Sequence, residues 1–535
     1  MNTDELISKN IEHEKTIQAL SFVNKELLCE NEELKGKVET LDFQLRKALL
    51  ARFGSKSEKL TDAEKAQLDL FIVAALDAGA EEEPDEAQII TVPKHTRKKT
   101  SGRNPLPENL KRVSVIHDLP EEKKICPCSC QMGFIREEKS EQLNYIPESL
   151  EVIENIRYLY GCQDGCKQHM AIADLPSTAI PRSIATPSLI ANIITNKYEY
   201  HLPFYRQEQK WKRRDINISR TLMANWTNQC GNTLVKPLIE CIKSEIVASD
   251  YMQADETTCQ VLKEEGKEAQ TKSYIWLYRS HQTKTNKNSL VLYEYQPSRG
   301  AVHPTQMLED FSGYLQTDDY SSYDGLKNKE DVIGLACLDH CRRKFMDIIK
   351  VVKKTGKAHQ SLSFIQKLYK IESDIKDKSF KEIKAVREEK AKPILDAWHK
   401  WLTDTLPTCP PKGPLGKAIG YTLGVWKYLV NYLDEGFLKI SNILIENNVR
   451  PIALGRKNWL FFDTVDGATA GCAWYTLIEN AKMYKLNPEK YITFVLEKMP
   501  MAKTLKDVEI LLPYNVRSED LDKIGLVKPK EIDSS

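Results

Sequence analysis

Asp255, Asp318 and Glu479 are carboxylates in three local settings that suit one shared chemistry. Asp255 lies in a hydrophobic run, IVASDYMQADETTCQVL, and Asp318 ends another apolar stretch, GYLQTDDYSSYDGL. Glu479 sits within a helical pattern, ATAGCAWYTLIENAKMY. Carboxylate oxygens are natural ligands of Mg²⁺ or Mn²⁺. Two such ions held close together stabilise both the attacking and the leaving oxygen of a phosphodiester. Two carboxylates at strand ends and a third on a later helix would supply that ligand set. A chain that brings the three together would cut and join nucleic acid.

The elements that must position them begin at about residue 250. YMQADETTCQVL, SYIWLYRS and SLVLYEYQP read as three strands separated by polar turns. A short helix (TQMLEDF), a fourth strand (GYLQTDDY) and a fifth (VIGLACLDH) follow. A three-strand meander, a crossover helix and further strands is the order of a ribonuclease-H-like α/β fold. Its first and fourth strands deliver one carboxylate each to the same sheet edge, and Asp255 and Asp318 occupy those places. Strand alternation turns Glu256 away from Asp255 and Asp319 away from Asp318; a register shift of one would select Asp319 instead. Residues from about 342 to 447 are helical and charged, broken at LPTCPPKGPLGK, and read as a helical insertion. ALGRKNWLFFDTVDG is expected as a hairpin or loop, followed by a helix over 468–484 that carries Glu479.

Upstream, the chain reads as a delivery apparatus. Ile17, Leu20, Asn24, Leu27, Asn31, Leu34, Val38, Leu41 and Leu45 form a heptad seam, with leucine at d-like positions and Asn24 and Asn31 at a-like positions. Buried asparagine at an a position favours an in-register parallel dimer. Residues 81–86 are acidic and 94–107 basic with Gly and Pro, a composition that reads as a linker. CPCSC and CQDGC place Cys126, Cys128, Cys130, Cys162 and Cys166 around strand-like sequence, and close-spaced thiolates suit structural Zn²⁺. Cys126, Cys130, Cys162 and Cys166 are the expected ligands, with Cys128 spare and His169 an outside candidate. Residues from about 187 to 241 are helical, with a polar turn RDINIS before a helix starting near Ser219. That is the pattern of a helix-turn-helix. Lys210, Lys212, Arg213, Arg214 and Arg220 would meet phosphates.

Composition bounds the reading. A chain of 535 residues is expected to hold several domains. No apolar run approaches the roughly 20 residues of a membrane span, and the polar start MNTDELISKN is unlike a secretory signal. A cytoplasmic, nucleoid-associated protein is therefore expected. Its 13 cysteines are then read as metal ligands or small core residues rather than disulfides.

Beyond these patterns, the chain resembles bacterial transposases of the insertion sequence 66 family nearly end to end. RFGSKSEKL, QLNYIPESLEVI, KYEYHLPFYRQEQKW, YMQADETTCQVL, GYLQTDDYSSYDGL, HCRRKF, IALGRKNWLF and TLIENAKMYKLNPEKYI match in the family's order. The resemblance implies a DDE transposase with a multidomain α+β architecture. The expected parts are a coiled-coil zipper (1–50), a short helix and charged linker (51–110), a zinc-binding segment (111–180) and a helix-turn-helix region (181–247). A ribonuclease-H-like core (248–341) continues into an all-helical insertion (342–450), a second core part with the catalytic helix (451–500) and a C-terminal segment (501–535). The resemblance puts the triad on Asp255, Asp318 and Glu479, served by two Mg²⁺ or Mn²⁺ ions, and selects Asp318 over Asp319. It implies that water first cleaves at a transposon end and that the freed 3′-hydroxyl then attacks target DNA. His340, Arg342, Arg343, Lys344, Arg456 and Lys457 become candidate DNA contacts, while Trp459 and Phe461 read as core. Expected partners are double-stranded DNA, a second copy through the zipper, and small accessory proteins of the same element. A structure-specific nuclease and a catalytically silent DNA-binding regulator are the competing functions; a broken triad would mark the latter.

Overall fold

The computed structural model describes residues 177–352 and 356–522, strands at 159–161 and 170–172, residues 152–153, and helical residues between 17 and 45. The expected zinc ligands and the linker lie outside the described residues. Strands β1 (Leu159–Gly161) and β2 (Met170–Ile172) pair antiparallel and belong to a separate unit, residues 82–175.

The larger unit is built on a mixed sheet. Its strands are β3 (Tyr251–Lys263), β4 (Lys272–Ser280), β5 (Val291–Gln296), β6 (Gly313–Gln316) and β7 (Val332–Leu335), in spatial order β5-β4-β3-β6-β7. β3, β4 and β5 form the antiparallel meander, and β6 and β7 add in parallel. This is the expected order of a ribonuclease-H-like sheet, with β3 central. A short strand, β8 (Phe462–Thr464), pairs with the far end of β3. Gly313 opens β6 with φ +128, and a Cβ there would lie 2.4 Å from the Asp250 carbonyl oxygen. Only glycine lets β6 begin so close to β3, and Tyr314 N–H donates to that carbonyl at 2.8 Å.

Helices precede and follow the strands. α1 (Pro187–Tyr198), α2 (Phe204–Lys212), α3 (Arg220–Gln229) and α4 (Lys236–Val247) precede the sheet. Ser219 caps α3 by accepting from Leu222 N–H, so the polar turn ends where the sequence places it. After β7, α5 (Leu338–Val352), α6 (Lys357–Ile375), α7 (Lys392–Thr405) and α8 (Pro414–Gly424) form most of the insertion. It has its own core, in which Phe345, Leu362, Ile365, Trp398, Leu402 and Ile419 are buried. α9 (Ile443–Trp459) returns the chain to the sheet, and α10 (Val465–Met483) follows β8. ALGRKN is thus the end of a helix rather than a loop or hairpin. Its apolar residues keep helical spacing, with Ile452, Gly455 and Trp459 buried along one stripe.

The open edge of β5 is closed by side chains of α10. Asn480 accepts from Val291 N–H at 3.0 Å and donates to Val291 C=O at 2.6 Å, and Thr476 Oγ1 accepts from Tyr293 N–H at 3.0 Å. The helix therefore satisfies edge groups that would otherwise invite another strand.

Candidate active site

Two five-residue segments make the floor of the site. Tyr251 to Asp255 and Tyr314 to Asp318 share the pattern Tyr-x-Gln-x-Asp. β3 and β6 run parallel with Tyr251 opposite Tyr314 and Gln253 opposite Gln316. Asp255 and Asp318 each lie two residues past the paired glutamines, at the same end of the paired segments. The glutamines are fully buried and tie the floor together. Gln316 Oε1 accepts from Tyr251 Oη at 2.6 Å and from Gln253 Nε2 at 2.7 Å. Gln316 Nε2 donates to the carbonyls of Ala336 and Lys439, and Gln253 Nε2 to that of Ser441. One polar network thus joins β3, β6, the end of β7 and the chain returning from the insertion.

Burial is the largest influence on Asp255 and raises its carboxyl pKa to about 8, with Glu256, Asp318 and Glu446 adding to the shift. Glu256 points to the other face, as alternation predicts. There it pairs with Arg299 and accepts from Tyr323 Oη at 2.8 Å. Arg299 in turn lies 3.5 Å over the Tyr320 ring, and Tyr320 N–H donates to Asp318 Oδ1 at 3.1 Å. This brace fixes the loop that carries Asp318, which follows β6 rather than lying on it. Asp319 is exposed and faces Lys327 and Asp324.

The third carboxylate facing this pair is Glu446, in the first turn of α9. It acts on Asp255 and is held by Arg343, with His340 Nε2 3.8 Å from its Oε1. Glu479 has a different set of neighbours. Its strongest neighbours are Lys482, at 2.5 Å, Arg279 and Asn448. It projects from α10, the helix that docks on β5, and β5 lies two strands from β3. Sequence reading missed Glu446 because ISNILIENNVRP looks like the tail of the insertion. The repeated Tyr-x-Gln-x-Asp pattern was a readable signal for the floor.

The basic candidates divide. Lys212, Arg213, Arg214 and Arg220 are exposed around the turn between α2 and α3, although Lys212 also pairs with Glu208 at 3.6 Å. Lys210 stacks on Trp211. His340, Arg342, Arg343 and Lys344 have partners within the chain: Glu446 for His340 and Arg343, Asp339 for Arg342, and the Tyr421 ring for Lys344. Arg456 donates to the Thr258 carbonyl and hydroxyl, bracing α9 on β3. Lys457 is exposed. Trp459 is buried and packs on Phe462, whereas Phe461 is exposed.

Comparison with known proteins now bears on this geometry. The model described as "Transposase IS66 family" matches residues 182–470. The leucine-zipper model described as "Transposase C of IS166 homeodomain" matches 40–115, "zinc-finger binding domain of transposase IS66" matches 123–164, and "IS66 C-terminal element" matches 476–514. Uncharacterized protein y4jD of Sinorhizobium fredii is 29% identical over 516 residues, covering 94% of this chain and 99% of its own. Uncharacterized protein y4hP of the same organism is 27% identical, covering 88% of this chain and 86% of its own. Among solved structures, the Drosophila P element transposase strand transfer complex aligns at 9% identity with a TM-score of 0.32, over 55% of this chain and 92% of that one. No helix among the described residues is long and apolar enough to cross a membrane. The family model spans more than half of the chain, and the chain is a DDE transposase of the IS66 family.

Proposed function

We propose that Asp255, Asp318 and Glu446 are the catalytic carboxylates of this transposase, with Glu446 in the place that the sequence reading gave to Glu479. The observation that carries the proposal is the in-register pair of Tyr-x-Gln-x-Asp segments facing the first turn of α9. The extent of the DDE model supports it: residues 182–470 include Asp255, Asp318 and Glu446 and end before Glu479.

The donor set fits hard divalent cations, since all its atoms are carboxylate oxygens. Burial first, and then the neighbouring carboxylates, raise the Asp255 carboxyl, and a bound cation would offset both. Bound Mg²⁺ or Mn²⁺ would supply charge stabilisation for both oxygens of an in-line displacement at phosphorus. Asp255, Asp318 and Glu446 would be the residues that hold the ions. The glutamine floor and the Arg299 brace hold the two aspartates in place without touching the reacting atoms. Strand transfer of the freed 3′-hydroxyl into target DNA would reuse the same three groups.

The exposed basic turn formed by Lys212, Arg213, Arg214 and Arg220 would contact end DNA through phosphates. Cys126, Cys130, Cys162 and Cys166 would hold structural zinc. The first three fall within the zinc-finger model, 123–164, and Cys166 falls beyond it.

The test compares three variants on transposon-end DNA. Asp255→Asn and Glu446→Gln are expected to lower Mg²⁺-dependent cleavage by about 10³-fold or more while leaving end binding in a gel-shift assay unchanged. Glu479→Gln is expected to keep cleavage. Full activity of Glu446→Gln together with a dead Glu479→Gln would overturn the assignment and restore the sequence-based triad.

A further inference from the structure

Cys337, His340 and Glu446 present one ligand atom each, a thiol sulfur, a ring nitrogen and a carboxylate oxygen, all within 4.8 Å of one another. The two segments that carry them are tied by backbone. Leu338 N–H donates to the Ile440 carbonyl at 3.1 Å, and Asn442 N–H donates to Cys337 Sγ at 3.4 Å. Cys337 immediately precedes α5 and His340 lies three residues on, so both ligands project from one helix start. Arg343 takes Glu446 Oε2 and leaves Oε1 toward His340, at 3.8 Å from Nε2. Buried Oε1 of Glu446 and Nδ1 of His340 have no hydrogen-bond partner. Three donors of mixed softness, two of them with unsatisfied atoms, are not explained by packing.

We infer that Cys337, His340 and Glu446 form a binding site for a soft divalent cation of the zinc type, and that its occupation withdraws Glu446 from the catalytic carboxylates. The ligand types are those of zinc rather than magnesium: sulfur and imidazole bind Zn²⁺ at about 2.3 and 2.0–2.1 Å, so ligand atoms of a tetrahedral site need to close by only about 1 Å from their present spacing. Hard Mg²⁺ has little affinity for a thiolate and would leave the site to softer ions. Coordination converts the Cys337 thiol to thiolate and releases its proton to solvent. One carboxylate serves two neighbouring sites of different hardness, so excess zinc would stop the reaction without touching Asp255 or Asp318. The inhibitory half of this inference rests on the role proposed for Glu446; the binding half does not.

The experiment uses full-length protein carrying its own zinc, titrated with Co²⁺, and compares the wild type with Cys337→Ser and, as a second variant, His340→Gln. The wild type is expected to take up one more Co²⁺ per chain than Cys337→Ser, with a thiolate-to-cobalt charge-transfer band that the variant lacks. Equal uptake and equal bands in the wild type and both variants would overturn the site. In the cleavage assay with Mg²⁺, added Zn²⁺ is expected to inhibit the wild type, and Cys337→Ser is expected to need at least about tenfold more Zn²⁺, since even indirect ligand support is worth that much. Equal inhibition of both proteins would overturn the link to catalysis. If Glu446→Gln cleaves normally while the cobalt band remains in the wild type, the catalytic reading fails and the metal site stands.

Discussion

At the scale of single residues, several groups around the site are kept in a state that water would not favour. His281 is one. Its ring stacks on Tyr251 with centroids 4.7 Å apart, and its buried Nε2 has no partner. Burial, then the nearby Arg279 and Lys439, hold the imidazole well below the ordinary histidine range, so the folded protein carries it neutral. The unfolded chain takes up a proton as pH falls through about 6.5. The folded state binds fewer protons below that pH, so the stability His281 allows is complete above about 6.5 and is lost as pH falls. His281→Phe keeps a stacked ring and removes the titration. Its melting temperature should therefore fall less between pH 7.5 and 5.5 than that of the wild type. Parallel losses in the two proteins would show that His281 does not set the acid limit. Residues of this kind are not legible in sequence, because nothing local distinguishes a buried histidine from a solvated one. Asp255 and Asp318 stand out in sequence because each follows an apolar run, although Asp255 lies within β3 and Asp318 beyond the end of β6. Glu446 does not, because a lone carboxylate at a helix start acquires meaning only when the helix returns over the sheet.

At the scale of elements, sheet order followed from the succession of strand-like and helical runs, and the five strands fall where alternation and turn residues place them. The return from the insertion did not follow, since Pro451 and Gly455 suggest a loop and outweigh the helical spacing of Ile452, Gly455 and Trp459. The insertion itself is locked by one buried cation. Arg387 sits in a π-helical turn, Arg387–Ala391, of the kind that marks a functional or strained place in a helix. Its guanidinium is bidentate to Glu372 at 2.8 and 2.7 Å. It also donates to the carbonyls of Tyr432, Glu435 and Leu438, each at 2.9 Å. Those carbonyls belong to the segment that leads back toward Glu446, so the arginine couples the insertion's helices to the chain's return. Removing it leaves a carboxylate and three carbonyls without their partner. Arg387→Ala should cost about 3–5 kcal/mol, read as a lower midpoint in chemical denaturation. Arg387→Lys should recover little, because an ammonium lacks the planar fork. Full recovery by lysine would mean that charge alone matters there.

At the scale of the whole molecule, the N-terminal helix presents two faces with different occupants. Glu33 Oε1 meets Lys412 Nζ at 2.8 Å, Thr40 Oγ1 donates to the Lys412 carbonyl at 2.7 Å, and Gly36 lies against Pro410 and Lys412. In the heptad reading these are c and f positions, opposite the a and d seam. The seam residues Ile17, Leu27, Leu34, Val38, Leu41 and Leu45 remain exposed, Leu34 at 52% and Val38 at 64%. A helix that docks its polar back on the insertion and leaves its leucines in water is arranged for a partner seam. The heptad pattern was legible in sequence; the docking of the opposite face, which joins residues more than 370 positions apart, was not. Each leucine buried in a parallel dimer contributes roughly 1.5–3 kcal/mol, enough for a few d positions to hold two chains together. Leu34→Glu with Leu41→Glu should convert full-length protein from dimer to monomer in sedimentation velocity and abolish cleavage of paired ends, while binding to a single end persists. Glu33→Ala, on the docked face, should leave the sedimentation coefficient unchanged. A double leucine variant that still sediments as a dimer would place the contact between chains elsewhere, and the exposed seam would then need a different occupant.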